Sequence, residues 1–211
     1  MRKVYLDHAA TTPLRREAFE AMIPFLTDRF GNPSSIHAFG REAKRDVDDA
    51  RQRVAAALHA EPREVFFTSG GTEADNIAIL GAAAQLRNKG RHIITSAVEH
   101  HAVLYTCEAL ESRGYRVTVL PVDEYGMVSP AQLEKAMSAE TILVSIMHAN
   151  NEVGTIQPIR ELAAIAHAGG ALIHTDAVQS LGNIPVDVQE LQVDFLSASA
   201  HKLYGPKGLG L

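Results

Sequence analysis

Near its end the chain reads Ser197-Ala198-Ser199-Ala200-His201-Lys202-Leu203-Tyr204-Gly205-Pro206-Lys207-Gly208, directly after the apolar run Val193-Asp194-Phe195-Leu196. The small residues and the Gly-Pro turn predict that Lys202 lies on irregular backbone at the end of a strand. A lysine becomes nucleophilic toward carbonyls when burial or a neighbouring cation disfavours its ammonium form, and His201 is adjacent in sequence. Lys202 is therefore a candidate reactive amine, and the alternative for these residues alone is a surface lysine in a loop.

The chain that leads to this segment alternates between strand and helix patterns. Short apolar runs predict strands at 64–68, 92–96, 115–120, 141–147, 171–175 and 194–197. Helical spacing predicts helices at 74–86, 101–112, 130–136 and 159–168 between them. Elements of these lengths in this order predict an α/β fold, a mostly parallel, doubly wound sheet with helices on both faces.

The first sixty residues carry two further helix patterns. Thr12 is expected as the N-cap and Pro13 at the first turn of a helix whose apolar face repeats at helical spacing, although Pro24 should kink or divide it. That apolar face comprises Phe19, Met22, Ile23 and Leu26. A second, longer helix is predicted at 38–58, with one apolar face and a charged remainder.

Ligands of such sheets bind beyond the carboxyl ends of the strands, so the residues that follow each strand are candidates. Ser69-Gly70-Gly71-Thr72 places two glycines and a hydroxyl at a helix N-terminus, which favours a phosphate cradle. A structural turn with Thr72 as cap is the alternative. A P-loop lysine and a Gly-x-Gly-x-x-Gly spacing are both missing from the sequence, so a nucleoside triphosphate or a dinucleotide is disfavoured.

Polar residues follow the other predicted strands as well, and two assignments compete for them. A metal site would draw on His100, His148, His174, Asp176 and His201, but these lack the i, i+4 helical spacing and a cysteine partner. A phosphate cradle together with a reactive lysine calls instead for a carbonyl cofactor that bears a phosphate. Pyridoxal 5′-phosphate meets both requirements, because it bonds to a lysine and uses a carboxylate beside its ring nitrogen.

The composition excludes several classes of function. The 211 residues are 46% hydrophobic and 21% charged with a net charge of −5, which describes a globular chain without the basic surface that nucleic acid requires. We expect no membrane span and no signal peptide, since apolar runs are short and Asp7 comes early. The single Cys107 forbids an internal disulfide and predicts a reducing compartment, the cytoplasm. The final Gly208-Leu209-Gly210-Leu211 is typical of a strand beginning, so the natural domain is expected to continue.

Several motifs together resemble one known family. They are Tyr5-Leu6-Asp7-His8-Ala9-Ala10-Thr11-Thr12-Pro13, Gly31-Asn32-Pro33-Ser34-Ser35, Thr68-Ser69-Gly70-Gly71-Thr72-Glu73, Glu99-His100, His148-Ala149-Asn150-Asn151-Glu152-Val153-Gly154, Asp176-Ala177-Val178-Gln179 and Ser199-Ala200-His201-Lys202. The chain resembles the amino-terminal part of cysteine desulfurases, in the class V aminotransferase superfamily of fold type I pyridoxal phosphate enzymes. Within that family it is most similar to the group that serves iron–sulfur cluster assembly.

The resemblance implies a role for each matching residue around the cofactor ring. Lys202 would bind the cofactor covalently and later move the α-proton of the substrate, and Asp176 would pair with the ring nitrogen. His100 would stack on the ring and transfer protons, and Gln179 would bond the ring's phenolic oxygen. Asn151 would contact the same oxygen and the substrate carboxylate.

The resemblance also implies the phosphate ligands and the arrangement of the chain. Gly71, Thr72, Ser199 and His201 would bind the phosphate, and no metal is required. Residues 1–15 would form an N-terminal arm that contributes to a small domain, and residues 16–211 a truncated large domain. The sulfur-accepting cysteine, a substrate-binding arginine, a phosphate contact from the partner subunit and the rest of the small domain would lie beyond Leu211.

The implied function is conversion of L-cysteine to L-alanine by a homodimer, with sulfur passed as an enzyme persulfide to an acceptor such as an iron–sulfur scaffold protein. Residues 1–211 would be inactive by themselves. Two alternatives remain open: a selenocysteine lyase or another class V lyase or aminotransferase, and a cofactor-free binding or scaffold half. Cys107 is interpreted as a buried apolar residue beside Val103, Leu104 and Leu110. Surface or core positions are predicted for the remaining histidines, namely His8, His37, His59, His92 and His167.

Overall fold

A five-stranded parallel sheet organises the computed structural model of this chain, which describes residues 2–211. The strands are β1 (His92–Ser96), β2 (Arg116–Leu120), β3 (Thr141–Ser145), β4 (Leu172–Asp176) and β5 (Phe195–Ser197). They lie in the order β2-β1-β3-β4-β5, and every neighbouring pair is parallel. The predicted α/β class with a mostly parallel sheet is confirmed.

Within residues 2–211, seven α-helices surround or precede the sheet. They are α1 (Arg16–Thr27), α2 (Ala38–Leu58), α3 (Gly71–Leu86), α4 (His101–Glu111), α5 (Pro130–Ala136), α6 (Ile159–Ala168) and α7 (Val188–Leu191). Short 3₁₀ turns occupy Pro62–Glu64 and Ala200–Lys202. Across residues 2–211, no helix combines the length and the apolar character that crossing a membrane demands.

Each face of the sheet carries its own apolar core. Ile93 packs with α3 and α4, whereas the next residue, Ile94, packs with α5 and α6 on the opposite face. Leu143 and Val144 of β3 divide in the same way. Successive side chains of a strand point to opposite faces, so strands buried on both sides need continuous apolar runs. β1 and β3 are buried at all five positions, which explains why both were readily predicted.

The predicted strand at 64–68 is wrong. Its start lies in the 3₁₀ turn at Pro62–Glu64, and its only pairing within the described residues is an antiparallel bridge between Thr68 and Gly210. Phe66 is 69% exposed, although an apolar Val-Phe-Phe run is typical of a buried strand. An apolar run becomes a strand only where a neighbouring strand accepts its backbone hydrogen bonds, and β5 is not paired with this run.

The prediction for Thr12 is also wrong. α1 begins at Arg16 with Arg15 as its N-cap, while Thr12 is buried and bonds to distant backbone. Its hydroxyl donates to the His201 carbonyl at 2.7 Å and accepts from the Tyr204 amide at 2.8 Å. α1 continues undivided through Pro24, and its expected core face is not buried by residues 2–211: Met22 is half-buried, while Phe19, Ile23 and Leu26 are exposed. Thr12 therefore joins the start of the chain to the Lys202 segment.

Candidate functional site

A cavity of about 520 Å³ lies beyond the carboxyl ends of β3, β4 and β5. The strand order reverses between β1 and β3, which is where doubly wound sheets form a ligand crevice. The N-terminus of α3, the segments that follow the strands and a loop at residues 7–10 form its walls. Every predicted site residue lines this cavity: Gly71, Thr72, His100, Asn151, Asp176, Gln179, Ser199, His201 and Lys202.

Lys202 is the last residue of the 3₁₀ turn that follows β5, and its side chain is half-buried at the cavity. Burial lowers the pKa of Lys202, while the carboxylates of Asp176 and Asp7 oppose that shift. Its Nζ donates to the Ala9 carbonyl oxygen. A lowered pKa increases the share of neutral amine at neutral pH, and the neutral amine is the form that attacks carbonyls.

Asp176 ends β4, and only 5% of it is exposed. Burial raises the pKa of Asp176, while a hydrogen bond from the Val178 amide to Oδ1 (2.9 Å) and the nearby His100 and Lys202 act in the opposite direction. A carboxylate in such a place costs free energy unless a donor or a cation faces it. Asp176 can therefore hold a protonated nitrogen that enters the cavity.

The N-terminus of α3, which lines the cavity, suits an anion. α3 begins at Gly71, three residues earlier than predicted, and the amides of a first helical turn lack intrahelical acceptors. A Cβ on Gly71 would stand 2.7 Å from Cγ2 of Val178, so glycine allows α3 to begin this close to β4. The exposed Thr72, with Ser199 and His201, adds hydroxyl and imidazole groups beside these amides. Together they can bind a phosphate.

Three more predicted residues line the cavity. His100 is the N-cap of α4, and its Nδ1 accepts from the Ala102 amide at 3.1 Å, which orients the ring. Gln179 Nε2 donates to the Ala9 carbonyl at 2.9 Å. Asn151 follows Asn150, whose side-chain oxygen accepts from the amides at 152 and 153 and so shapes the turn.

The loop at residues 7–10 also lines the cavity, a role that sequence reasoning missed. Asp7, Ala9 and Ala10 lie on its wall, and the Ala9 carbonyl accepts from both Lys202 and Gln179. The loop is held by the Thr12 bonds and by a 3.1 Å contact between His201 Nδ1 and the Thr11 hydroxyl. These contacts join residues about 190 apart in sequence, and no local pattern announces such pairing.

Two buried carboxyls beneath the cavity were also missed as site residues. Glu99 accepts from the Ser96 hydroxyl at 2.5 Å and from the Met147 amide at 2.9 Å, and burial raises its pKa to about 8. Asp75 lies in α3, four residues before the buried Ile79, and is itself 1% exposed. An acidic residue on the apolar stripe of a helix was the signal that could have identified it.

Two histidines of the metal alternative lie away from the cavity wall. His174 is fully buried within β4, where its ring nitrogens bond the hydroxyls of Ser145 and Ser197, and burial lowers its pKa to about 4. His148 is buried against the Ser180 hydroxyl, with Nδ1 to Oγ at 2.9 Å. In the part of the chain that the structure describes, no three His, Cys, Asp or Glu side chains are grouped to hold a metal ion.

Cys107 belongs to the apolar core between α4 and the sheet, as predicted. It is 2% exposed, and burial raises the pKa of its thiol to about 12. A thiol that is both inaccessible and neutral at physiological pH is a poor nucleophile.

Comparison with known proteins agrees with this geometry. A relative from Dictyoglomus turgidum, named cysteine desulfurase IscS, is 60% identical over 209 residues, which is 99% of this chain and 53% of that protein. A solved NifS-like protein superposes with a TM-score of 0.97 at 44% identity, covering 99% of this chain and 58% of its own. A structure described as SspA in complex with cysteine superposes at 0.94 and 42% identity, covering 98% and 59%.

These coverages show that the chain spans about half the length of the curated relatives it matches. The family model described as aminotransferase class-V matches residues 4–211, which is nearly the whole chain. Both the sheet with its cavity and the sequence thus lead to one assignment: the chain belongs to the class V aminotransferase family.

Proposed function

We propose that the complete protein is a pyridoxal-phosphate-dependent cysteine desulfurase, which converts L-cysteine to L-alanine and carries the sulfur as an enzyme persulfide. The observation that carries this proposal is the single cavity into which Lys202, Asp176 and the N-terminus of α3 all project. The proposal is supported by relatives that bear the name cysteine desulfurase at 50–60% identity.

The residues present fit pyridoxal phosphate. The cavity has a half-buried amine for the carbonyl, a buried carboxylate for the ring nitrogen and an anion-binding helix terminus for the phosphate. The tight approach of Gly71 to Val178 shows that the cradle is built without room for a side chain. Gly71, Thr72, Ser199 and His201 would hold the phosphate, and Gln179 and Asn151 the phenolic oxygen.

When bound, this cofactor supplies a carbonyl that bonds to amines and a ring that withdraws electrons. Lys202 would form that bond and, once the substrate displaces it, accept the α-proton as a neutral amine, which its lowered pKa favours. Asp176 would keep the ring nitrogen protonated, because its carboxylate is buried and faces the cavity. His100 would cover the ring and move protons, and Asn151 would orient the substrate carboxylate.

The sulfur acceptor is a different residue from Cys107. The thiol of Cys107 is buried in a helix that packs on the sheet, so it cannot reach substrate and then a partner protein. Its role is structural, and the persulfide would form on a cysteine in the half of the relatives' length that this chain does not span. The 211-residue chain alone is expected to be inactive.

The assembly and location follow the same proposal. The complete protein would act as a homodimer in the cytoplasm, pass sulfur to an acceptor such as an iron–sulfur scaffold, and bind neither nucleic acid nor membrane. Exposed apolar side chains on α1 and the segment after it support a covered surface there. Residues 1–15, of which Met1 lies outside the described residues, would serve as an arm that contributes to a small domain, and residues 16–211 would serve as the truncated large domain.

A cofactor-trapping experiment tests the proposal. The complete protein, loaded with pyridoxal phosphate and reduced with borohydride, should carry the cofactor on Lys202 in peptides mapped by mass spectrometry. Lys207 is the control, since it is exposed and lies five residues further along. A label on Lys207, or no label at all, would contradict the assignment.

A further inference from the structure

Asp75 is a buried carboxyl to which the proposed chemistry gives no task. It lies on the first turns of α3, is 1% exposed and lines the floor of the cavity. Its Oδ1 has no hydrogen-bond partner within residues 2–211, and the nearest basic atom, His174 Nε2, stands 3.6 Å away. That distance is too long for a hydrogen bond. An unpartnered buried carboxyl requires an explanation.

The groups around Asp75 determine which charge it can carry. It shares the cavity floor with Asp176, and titratable groups face this floor from β4, from the segment between β1 and α4, and from the 3₁₀ turn after β5. They are Asp176, His174, Glu99, His100 and Lys202. β5 presents the hydroxyl of Ser197, which is already bonded to His174. Lys202 and His100 favour the charged form of Asp176 and so lower its pKa.

His174 cannot neutralise Asp75. Both its ring nitrogens contact serine hydroxyls, and full burial keeps the imidazole neutral. Two carboxylates buried at one site repel each other, so the pair retains a proton. Asp176 accepts an amide hydrogen bond and faces two basic side chains. Near Asp75, the Ser197 hydroxyl is shared with His174 and opposes the rise in pKa only in part, and Oδ1 of Asp75 has no hydrogen-bond partner among the described residues. The retained proton therefore belongs on Asp75.

We propose that Asp75 is a positioning residue that remains a neutral carboxylic acid, so that Asp176 alone carries the negative charge on the floor of the cavity. The inference rests on the proposed function only for the role of Asp176, which is to keep the cofactor's ring nitrogen protonated. In agreement, burial and then the charge of Asp176 raise the pKa of Asp75 to about 8. A charged Asp75 would push the pKa of Asp176 upward and spread the negative charge away from the site of the ring nitrogen.

The first test needs no cofactor. A carboxyl with a raised folded-state pKa binds its proton more tightly in the native state, so stability falls as pH rises from about 4 to about 8. Chemical unfolding of the cofactor-free complete protein should show this fall in the free energy of unfolding as pH rises. Asp75→Asn should reduce the pH dependence, and the variant should gain most stability over wild type at the alkaline end of the range. A merely structural role would give Asn a uniform change at every pH. Superimposable pH profiles of variant and wild type would overturn the proposal.

The second test measures affinity for pyridoxal phosphate. Asparagine imitates a neutral carboxylic acid, so Asp75→Asn should bind within about threefold of wild type at neutral pH, whereas Asp75→Ala should lose about tenfold or more. Asp48→Asn is the matched control, because it removes the same charge from an exposed position of α2. A tenfold loss in Asp75→Asn, with the control unchanged, would show that the charge itself is needed and would overturn the proposal.

A third measurement uses the wild-type protein and so applies even if the Asp75 variants fail to fold. Isotopic labelling of aspartate in the wild-type protein should reveal the carbonyl stretch of a protonated aspartic acid in the infrared spectrum at about pH 6, which is below the raised pKa. Absence of that band would overturn the proposal. If wild type does not take up pyridoxal phosphate, the proposed function fails, while the unfolding experiment still decides the state of Asp75 and a missing infrared band would still overturn the proposal.

Discussion

The floor of the cavity and the region around α1 reverse the usual distribution of side chains. Beneath the cavity the chain buries three carboxyls, Asp75, Glu99 and Asp176, with the imidazole of His174. Around α1 the opposite holds, and large apolar side chains face solvent. They are Phe19, Ile23, Phe25, Leu26, Phe30 and Phe39, of which Leu26 is 70% exposed.

In each region the placement of these side chains is unfavourable in free energy, and the fold of residues 2–211 does not offset that cost by itself. Buried ionisable groups lose hydration, and exposed apolar groups gain no burial energy. Asp75 and Asp176 both line the cavity, so the cost of burying them is expected to serve chemistry. The apolar side chains around α1 are exposed, so their cost is expected to serve association. Substitutions in the two regions should therefore act on different properties.

The largest effect should come from Asp176→Ala. A buried carboxylate aimed at developing charge is worth several kcal/mol, so turnover of L-cysteine by the complete protein should fall by about 10²- to 10³-fold while some cofactor is retained. Steady-state rates and the spectrum of the bound cofactor measure the two effects separately. Asp48→Ala, an exposed aspartate of α2, is the control. Near-normal turnover in Asp176→Ala would count decisively against its assigned role.

Thr12→Val should rank second, because Thr12 joins the two regions. The change removes a hydroxyl that bonds both the His201 carbonyl and the Tyr204 amide, and it leaves the Tyr204 amide without that acceptor. We expect a loss of about 1–3 kcal/mol in the free energy of unfolding. Thr27→Val is matched, since the Thr27 hydroxyl bonds only exposed groups of its own helix end. Equal losses in the two variants would show that the tertiary bond of Thr12 is not special.

Cys107→Ala should affect stability more than chemistry. Removing a buried sulfur from the α4 core should cost about 1 kcal/mol, while desulfurase activity of the complete protein stays within a few-fold of wild type. Chemical unfolding and alanine formation from L-cysteine provide the two measurements. Detection of a persulfide on Cys107 during turnover, lost together with activity in the variant, would make Cys107 the sulfur carrier.

Leu26→Ser should have the smallest effect on the 211-residue chain. Leu26 is 70% exposed, so its removal should change the free energy of unfolding by no more than about 0.5 kcal/mol. The same substitution at Leu133, which is fully buried against α6 and the sheet, is the positive control and should cost several times more. A large loss at Leu26 would mean that the α1 face is covered in solution, and sedimentation velocity would then identify a dimer.

The sequence determined the sheet and most of the site because both depend on local patterns. β1 and β3 carry adjacent apolar residues at their centres and are buried on two faces, and α2, α5 and α6 were predicted with the bounds that the structure has. The nine predicted site residues all end or follow strands or lie at the start of helices, and parallel strands end at one edge of a sheet. Lys202, Asp176 and Gly71 thus reach the same cavity from positions far apart in the chain.

Tertiary structure alone decided what depends on distant partners. The apolar run at 64–68 is typical of a strand, but no neighbouring strand among the described residues pairs with it beyond one isolated bridge. Thr12 forms a hydrogen bond to backbone about 190 residues away instead of capping α1. In the sequence, the only sign that Asp75 is buried is its place as an acidic residue on the apolar face of a helix. Its neighbour in space, Asp176, belongs to another element, β4. Hydrophobic periodicity reports which face of an element is buried, whereas the partner that covers it, and the charge that a buried group can hold, depend on contacts between elements.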